Sequence, residues 1–99
     1  MNYKVRILDE ALAEVQEAMK WYGEVSVELS NDVETKFFES IDKLVKYPLT
    51  HPKTKANVRK YRMDRFPYNL LYRVNKNLIV IIALVHHRRK PNYWKGRKS

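Results

Sequence analysis

The eight residues Leu78-Ile79-Val80-Ile81-Ile82-Ala83-Leu84-Val85 decide the fold of this 99-residue chain. They are its longest uninterrupted apolar run, well short of the roughly 20 residues that a membrane-spanning helix needs. Five of the eight are β-branched, so the run reads as a central strand covered on both faces. Just upstream, Asn75-Lys76-Asn77 supplies turn chemistry, and before it Tyr68, Leu70, Tyr72 and Val74 recur at every second position. That period of two predicts a second strand, hairpin-paired with the first. One step further out, the arginine-rich residues 58–63 predict a third strand, reached through the turn-like Arg65-Phe66-Pro67. Alternation along it puts Lys60 and Arg62 on one face and Arg59, Tyr61 and Met63 on the other.

Residues 48–57 hold two prolines and no apolar period, and read as a loop. Before the loop, Val33, Phe37, Ile41, Leu44 and Val45 recur at helical spacing up to Tyr47, where Pro48 forbids continuation. An earlier helix is predicted over residues 10–22, with Leu12, Val15, Met19 and Tyr22 on one side, Asp9 as its cap and Gly23 as its stop. Tyr3, Val5 and Ile7 alternate with Lys4 and Arg6 as a first strand. The order is βααβββ. We expect one α+β domain over residues 1–99, in two layers: an antiparallel sheet with a helical hairpin on one face and the other face open. The tail from Lys95 onward is expected to fray.

Composition narrows the function classes. No cysteine is present, which excludes a disulfide framework, a thiolate metal site and a cysteine nucleophile, and suits a reducing compartment; we expect the cytoplasm. The N-terminus, with Lys4, Arg6, Asp9 and Glu10, fits no signal peptide. Charge is divided: residues 1–50 carry six basic and ten acidic side chains, residues 51–99 fourteen basic and one acidic, Asp64. Such asymmetry predicts a strong positive potential on one side and an anionic partner.

The cations fall in three clusters: Lys53 and Lys55; Arg59, Lys60, Arg62 and Arg65; and Arg88, Arg89 and Lys90, with Lys95, Arg97 and Lys98 beyond. Pro91, Tyr93 and Trp94 follow the third, and aromatic faces beside cations suit nucleic acid, although Trp94 folding back to cap the sheet is an equal reading. Phe66, Tyr68, Tyr72 and Trp21 lie among apolar neighbours and are expected to pack. His86 is either a strand-end group bonded to backbone or a titrating group near neutral pH. His51 and the His86-His87 pair lack the spacing of a metal site, and no phosphate loop or serine elbow is present, so neither metal nor cofactor is expected. Metal-free cleavage of RNA remains open to Lys60, Arg62, Arg88 and a histidine.

A family likeness emerges from three strings: Phe66-Pro67-Tyr68-Asn69-Leu70-Leu71-Tyr72-Arg73-Val74; the buried run ending Leu84-Val85-His86; and Arg89-Lys90-Pro91-Asn92-Tyr93-Trp94 with Arg97. Upstream, a helix holding Ala18 and Trp21-Tyr22, a second with Phe37 and Ile41 that ends Leu44-Val45-Lys46-Tyr47-Pro48, and a basic strand opening at Val58-Arg59 complete it. Together these resemble the RelE/ParE superfamily of type II toxins over essentially the whole chain. The resemblance implies a small toxin encoded beside an antitoxin that neutralises it. The Phe-Pro-Tyr and Pro-x-x-Trp motifs look more like the ParE-type plasmid-stabilisation branch, whose studied members inhibit DNA gyrase.

In the RelE-like branch, which cuts messenger RNA on the ribosome, Lys60 and Arg62 match two strand lysines and Arg88 an arginine after the last strand. Asn69 stands where that branch has an arginine, and Trp94 where it has an acid–base tyrosine that only Tyr93, one position earlier, would replace. The resemblance therefore implies two candidate sets. A target- or antitoxin-binding set comprises Arg59, Arg62, Arg65, Arg88, Arg89, Trp94 and Arg97. A ribonuclease set comprises Lys60, Arg62, His86, Arg88 and Tyr93. A non-toxic nucleic-acid-binding module is the third reading. In every case an acidic or amphipathic antitoxin segment is expected over the cationic sheet face, and no membrane partner.

Overall fold

The computed structural model describes residues 2–90 and 92–98. Its elements are β1 (Lys4–Ile7), α1 (Asp9–Gly23), α2 (Val27–Leu44), a 3-10 turn at Lys55–Asn57, β2 (Arg59–Arg62), β3 (Tyr68–Asn75) and β4 (Leu78–His86). The sheet order is β1-β4-β3-β2, so the apolar run does lie between two neighbours, as its composition demands. β2, β3 and β4 form an antiparallel meander. β1, however, runs parallel to β4, Lys4 to Ile7 facing Leu78 to Ile81, and the sheet is mixed where a wholly antiparallel one was expected. Four alternating residues reveal a strand but carry nothing about its direction.

Both helices begin by local rules, though not quite as predicted. Leu8, in extended conformation, holds the cap position of α1 and makes no side-chain cap bond. Asp9 is instead the first helical residue, and with Glu10 it places negative charge against the positive end of the helix dipole. In α2 the hydroxyl oxygen of Ser26 accepts the Leu29 N–H at 3.1 Å, a standard cap.

Two apolar clusters hold the layers together, one on each face of the sheet. On the helix side, Val15, Ala18, Val33, Phe37, Ile41 and Leu44 pack against Leu70, Tyr72, Ile79, Ile81 and Leu84. On the far side, Leu71, Val80, Ile82 and Ala83 meet Leu8, Val58 and Trp94. The far face is therefore not bare. Its middle is apolar and covered by the C-terminal turn, because a strand as apolar as β4 leaves one row of side chains exposed unless something returns over it. Trp94 is only 5 % exposed. Nor does the tail simply fray: Asn92 to Arg97 makes turns, with the Lys95 N–H on the Asn92 carbonyl and the Arg97 N–H on the Trp94 carbonyl.

One irregularity in β4 matters for the site. Leu71 faces Ala83 but Tyr72 faces Ile81, so Ile82 is an extra residue, a β-bulge. Ile82 and Ala83 consequently both turn to the far side, and Leu84 returns to the helix side. Every residue after the bulge points opposite to where strict alternation from Ile79 would send it.

Candidate functional site

β2 carries Lys60 opposite Leu71 and Arg62 opposite Asn69, which in turn faces Val85. Residues directly opposite share a face, so Lys60 and Arg62 stand on the far side at the rim of its apolar patch, and Arg59 and Tyr61 on the helix side, as alternation predicts. Both Lys60 and Arg62 are exposed. His87, just past β4, joins them: its N–H reaches the Pro67 carbonyl at 2.9 Å. Burial together with the charges of Arg62, His86 and Lys60 holds its imidazole below the usual histidine range. An imidazole whose protonation is disfavoured, beside two cations, is an arrangement suited to an anion.

His86 is not part of it. The bulge sends this residue to the helix side, opposite Tyr68, with the two rings edge to face at 5.1 Å. There it lines a cleft of about 370 Å³ between α1 and the end of β4, with Trp21, Tyr68, Arg88, Arg89 and Tyr93 among the walls. The ribonuclease set is thus split between two faces: Lys60 and Arg62 on one, His86, Arg88 and Tyr93 around the cleft on the other. Trp21, expected to pack, is 68 % exposed at this cleft, while Trp94 is the tryptophan that packs.

The remaining candidates are bound into the fold. Arg59 donates to the Leu49 and His51 carbonyls at 2.9 and 2.8 Å, and the buried Tyr72 hydroxyl donates to the Pro48 carbonyl at 2.6 Å. These bonds fasten residues 48–57 to the sheet. Arg65 pairs with Asp32 of α2 and lies over the Phe66 ring, and neighbouring Asp64 pairs with Lys43 at 2.9 Å. Arg97 forms a two-pronged pair with Glu14 of α1, at 2.7 and 3.1 Å.

Glu14 is the residue that sequence reasoning missed. β1 ends opposite Ile81, and beyond that point β4 has no strand on its β1 edge among the described residues. Along that free edge the Ile82 carbonyl accepts from Arg97 at 3.1 Å, and the Leu84 N–H donates to Glu14 at 3.1 Å. The guanidinium and carboxylate thus stand in for the N–H and C=O that a continued parallel strand would offer. Tyr93 completes the cluster, its hydroxyl donating to Glu14 at 2.7 Å. Burial first, then that carboxylate, pushes the Tyr93 hydroxyl well above its usual range. A phenol so held is a poor proton donor to any substrate. Among the described residues no group of three or more His, Asp or Glu side chains is arranged to hold a metal. Pro91 of the C-terminal motif and Ser99 of the tail lie outside the described residues.

Comparison with known proteins agrees with this architecture. The family described as ParE toxin of type II toxin-antitoxin system, parDE, matches residues 5–91. No curated protein sequence matches. Among solved structures, the chain is similar to one of the chromosomal ParDE TA system from P. aeruginosa, with TM-score 0.76, 17 % identity, and 85 % of this chain and 95 % of that chain covered. It is similar also to a chain of the archaeal RelE-RelB complex from Pyrococcus horikoshii OT3, with TM-score 0.55, 21 % identity, and 91 % of this chain and 100 % of that chain covered.

Proposed function

We propose, from the premise that this chain belongs to the ParE toxin family of type II toxin–antitoxin systems, that it is a toxin held inactive by its own antitoxin and directed at DNA gyrase. The observation that carries the reading is the family match over residues 5–91 joined to the exposed cations on a fold shared with a ParDE system chain. Lys60 and Arg62 on the far side, and Arg88 and Arg89 beyond β4, are exposed, and among the described residues none of the four has a carboxylate within ion-pair distance. They are the members of the candidate sets left available for a partner; Arg59, Arg65, Arg97 and Trp94 support the shape that presents them. The place of action is the cytoplasm, and no helix among the described residues is long and apolar enough to cross a membrane.

Purified protein is expected to block gyrase supercoiling at micromolar concentration, and the Lys60→Ala, Arg62→Ala double variant to weaken that block at least tenfold while melting like the parent. Unimpaired supercoiling would remove gyrase as the target. A ribosome-dependent ribonuclease is the second reading, favoured by one observation: His87, with its lowered proton affinity, sits beside Lys60 and Arg62. It would use His87 where the sequence pointed to His86. Primer extension on translated message decides it, and intact message with ribosomes present rejects it.

A further inference from the structure

The cleft between α1 and the end of β4 carries Arg88 and Arg89 on its rim, but its apolar walls are used by neither the gyrase nor the ribonuclease reading. Its floor is apolar: Ala18, Leu84 and Tyr68 are buried. Trp21 leaves most of its indole in water at one side. A tryptophan in that position exposes a large apolar surface with no return from the fold itself, and such residues are the usual anchors of protein contacts. At about 370 Å³ the cleft lies near the small end of ligand cavities, roughly 300–1,000 Å³. It suits one or two large side chains.

The charges around it select the ligand. Arg88 and Arg89 are exposed on the rim with no carboxylate in ion-pair distance among the described residues. The Arg89 guanidinium is already steadied over the Tyr93 ring, 4.2 Å from its centroid. Inside, Glu14 would repel an incoming carboxylate, but Arg97 and Tyr93 occupy both its oxygens. Glu17 on the α1 wall is then the one acid facing two arginines. A chain of net charge +9 also attracts acidic partners from a distance.

We infer that this cleft is the anchoring site for the antitoxin, and that it takes a segment carrying a large apolar or aromatic side chain flanked by carboxylates. The apolar side chain enters beside Trp21 and over Leu84, and the carboxylates meet Arg88 and Arg89. The inference rests on the reading that the chain has a cognate antitoxin, and it relocates that partner: the anchor lies on the helix side of the sheet, across from Lys60, Arg62 and His87. Capture then takes Arg88 and Arg89 and leaves Lys60 and Arg62, on the other face, for the target.

The test measures affinity between the full-length chain and the antitoxin encoded beside its gene, for the parent, Trp21→Ala, Arg88→Ala with Arg89→Ala, and Lys60→Ala with Arg62→Ala. Trp21 is exposed, so its replacement leaves the core intact. The expected result is a loss of at least about 30-fold for Trp21→Ala, the scale of an interface hot spot. A loss of about tenfold or more should follow for the Arg88, Arg89 variant, with a flatter salt response, and less than threefold for the Lys60, Arg62 variant. Parent-like binding by both cleft variants overturns the inference while leaving the antitoxin reading in place. Failure of the parent itself to bind overturns the reading and the inference together.

Discussion

Glu14 accepts four hydrogen bonds with two oxygens, from the Leu84 amide, the Tyr93 hydroxyl and both terminal nitrogens of Arg97. Its side chain is 11 % exposed and that of Arg97 16 %, so neither charge has much water to fall back on. Removing one member of so sheltered a pair strands the other, at a cost of about 3 kcal/mol or more. Glu14→Gln keeps the size and loses the charge; chemical denaturation should show that loss of stability, and amide exchange should speed up at Leu84 before it does at Ile79. An unchanged denaturation midpoint would mean that the pair contributes nothing. Such a cluster is invisible along the chain, since Glu14 stands 79 positions from Tyr93 and 83 from Arg97, and a glutamate on a helix reads as a solvated one. Trp21 was misread, and Trp94 left between two readings, for a related reason. Trp21 has apolar neighbours in sequence but stands on the outer side of its helix turn, whereas Trp94 has polar neighbours and is carried onto Leu71 and Ile82 by a turn that composition does not reveal.

At the scale of elements, the strongest features were also the most legible. The meander followed from one apolar run, one alternating run and the Asn-Lys-Asn turn, where Lys76 adopts the left-handed backbone conformation, φ 56°. What alternation could not show was the bulge, because residues 82–84 are all apolar and a change of face leaves no mark in the pattern. Its effect is large. Deleting Ile82 would restore regular pairing and leave residues 83–86 on the faces they now hold, Leu84 in the helix-side core and His86 in the cleft, at the cost of one buried side chain on the far side. The deletion variant is expected to unfold cooperatively but at a clearly lower temperature, having lost a buried side chain and the local bend, whereas Ile82→Val, which keeps both, should cost only about 0.5–1.5 kcal/mol. Comparable melting of the two would show that the bulge is dispensable. One signal in the sequence did bear on the site: two histidines stand side by side at a strand end, and His86, the last strand residue, goes to the helix side while His87, just past it, joins Lys60 and Arg62.

For the whole molecule, the division of charge along the chain becomes a division in space. Acidic residues lie along the helices, while Lys60 and Arg62 stand on the far side and Arg88 and Arg89 beyond β4. A body so polarised turns its positive side toward an acidic partner before contact, which raises the encounter rate and makes it salt-dependent. Stopped-flow association with the antitoxin should therefore slow severalfold or more between about 0.05 and 0.5 M salt, with dissociation changing much less; a rate indifferent to salt would show that the polarity plays no part in capture.

The position of β4 in the chain has a bearing on when the protein becomes whole. The strand at the heart of the sheet comes after every other element in chain order, and Arg97, which seals its free edge, follows it. Lys4 must wait for Leu78 to complete its ladder, a contact distant in sequence and so slow to form. Until residues 78–97 are in place, the helical pair has no floor and the cleft no far wall. A partner that recognises the cleft therefore reads the assembled domain, not its helices or strands separately.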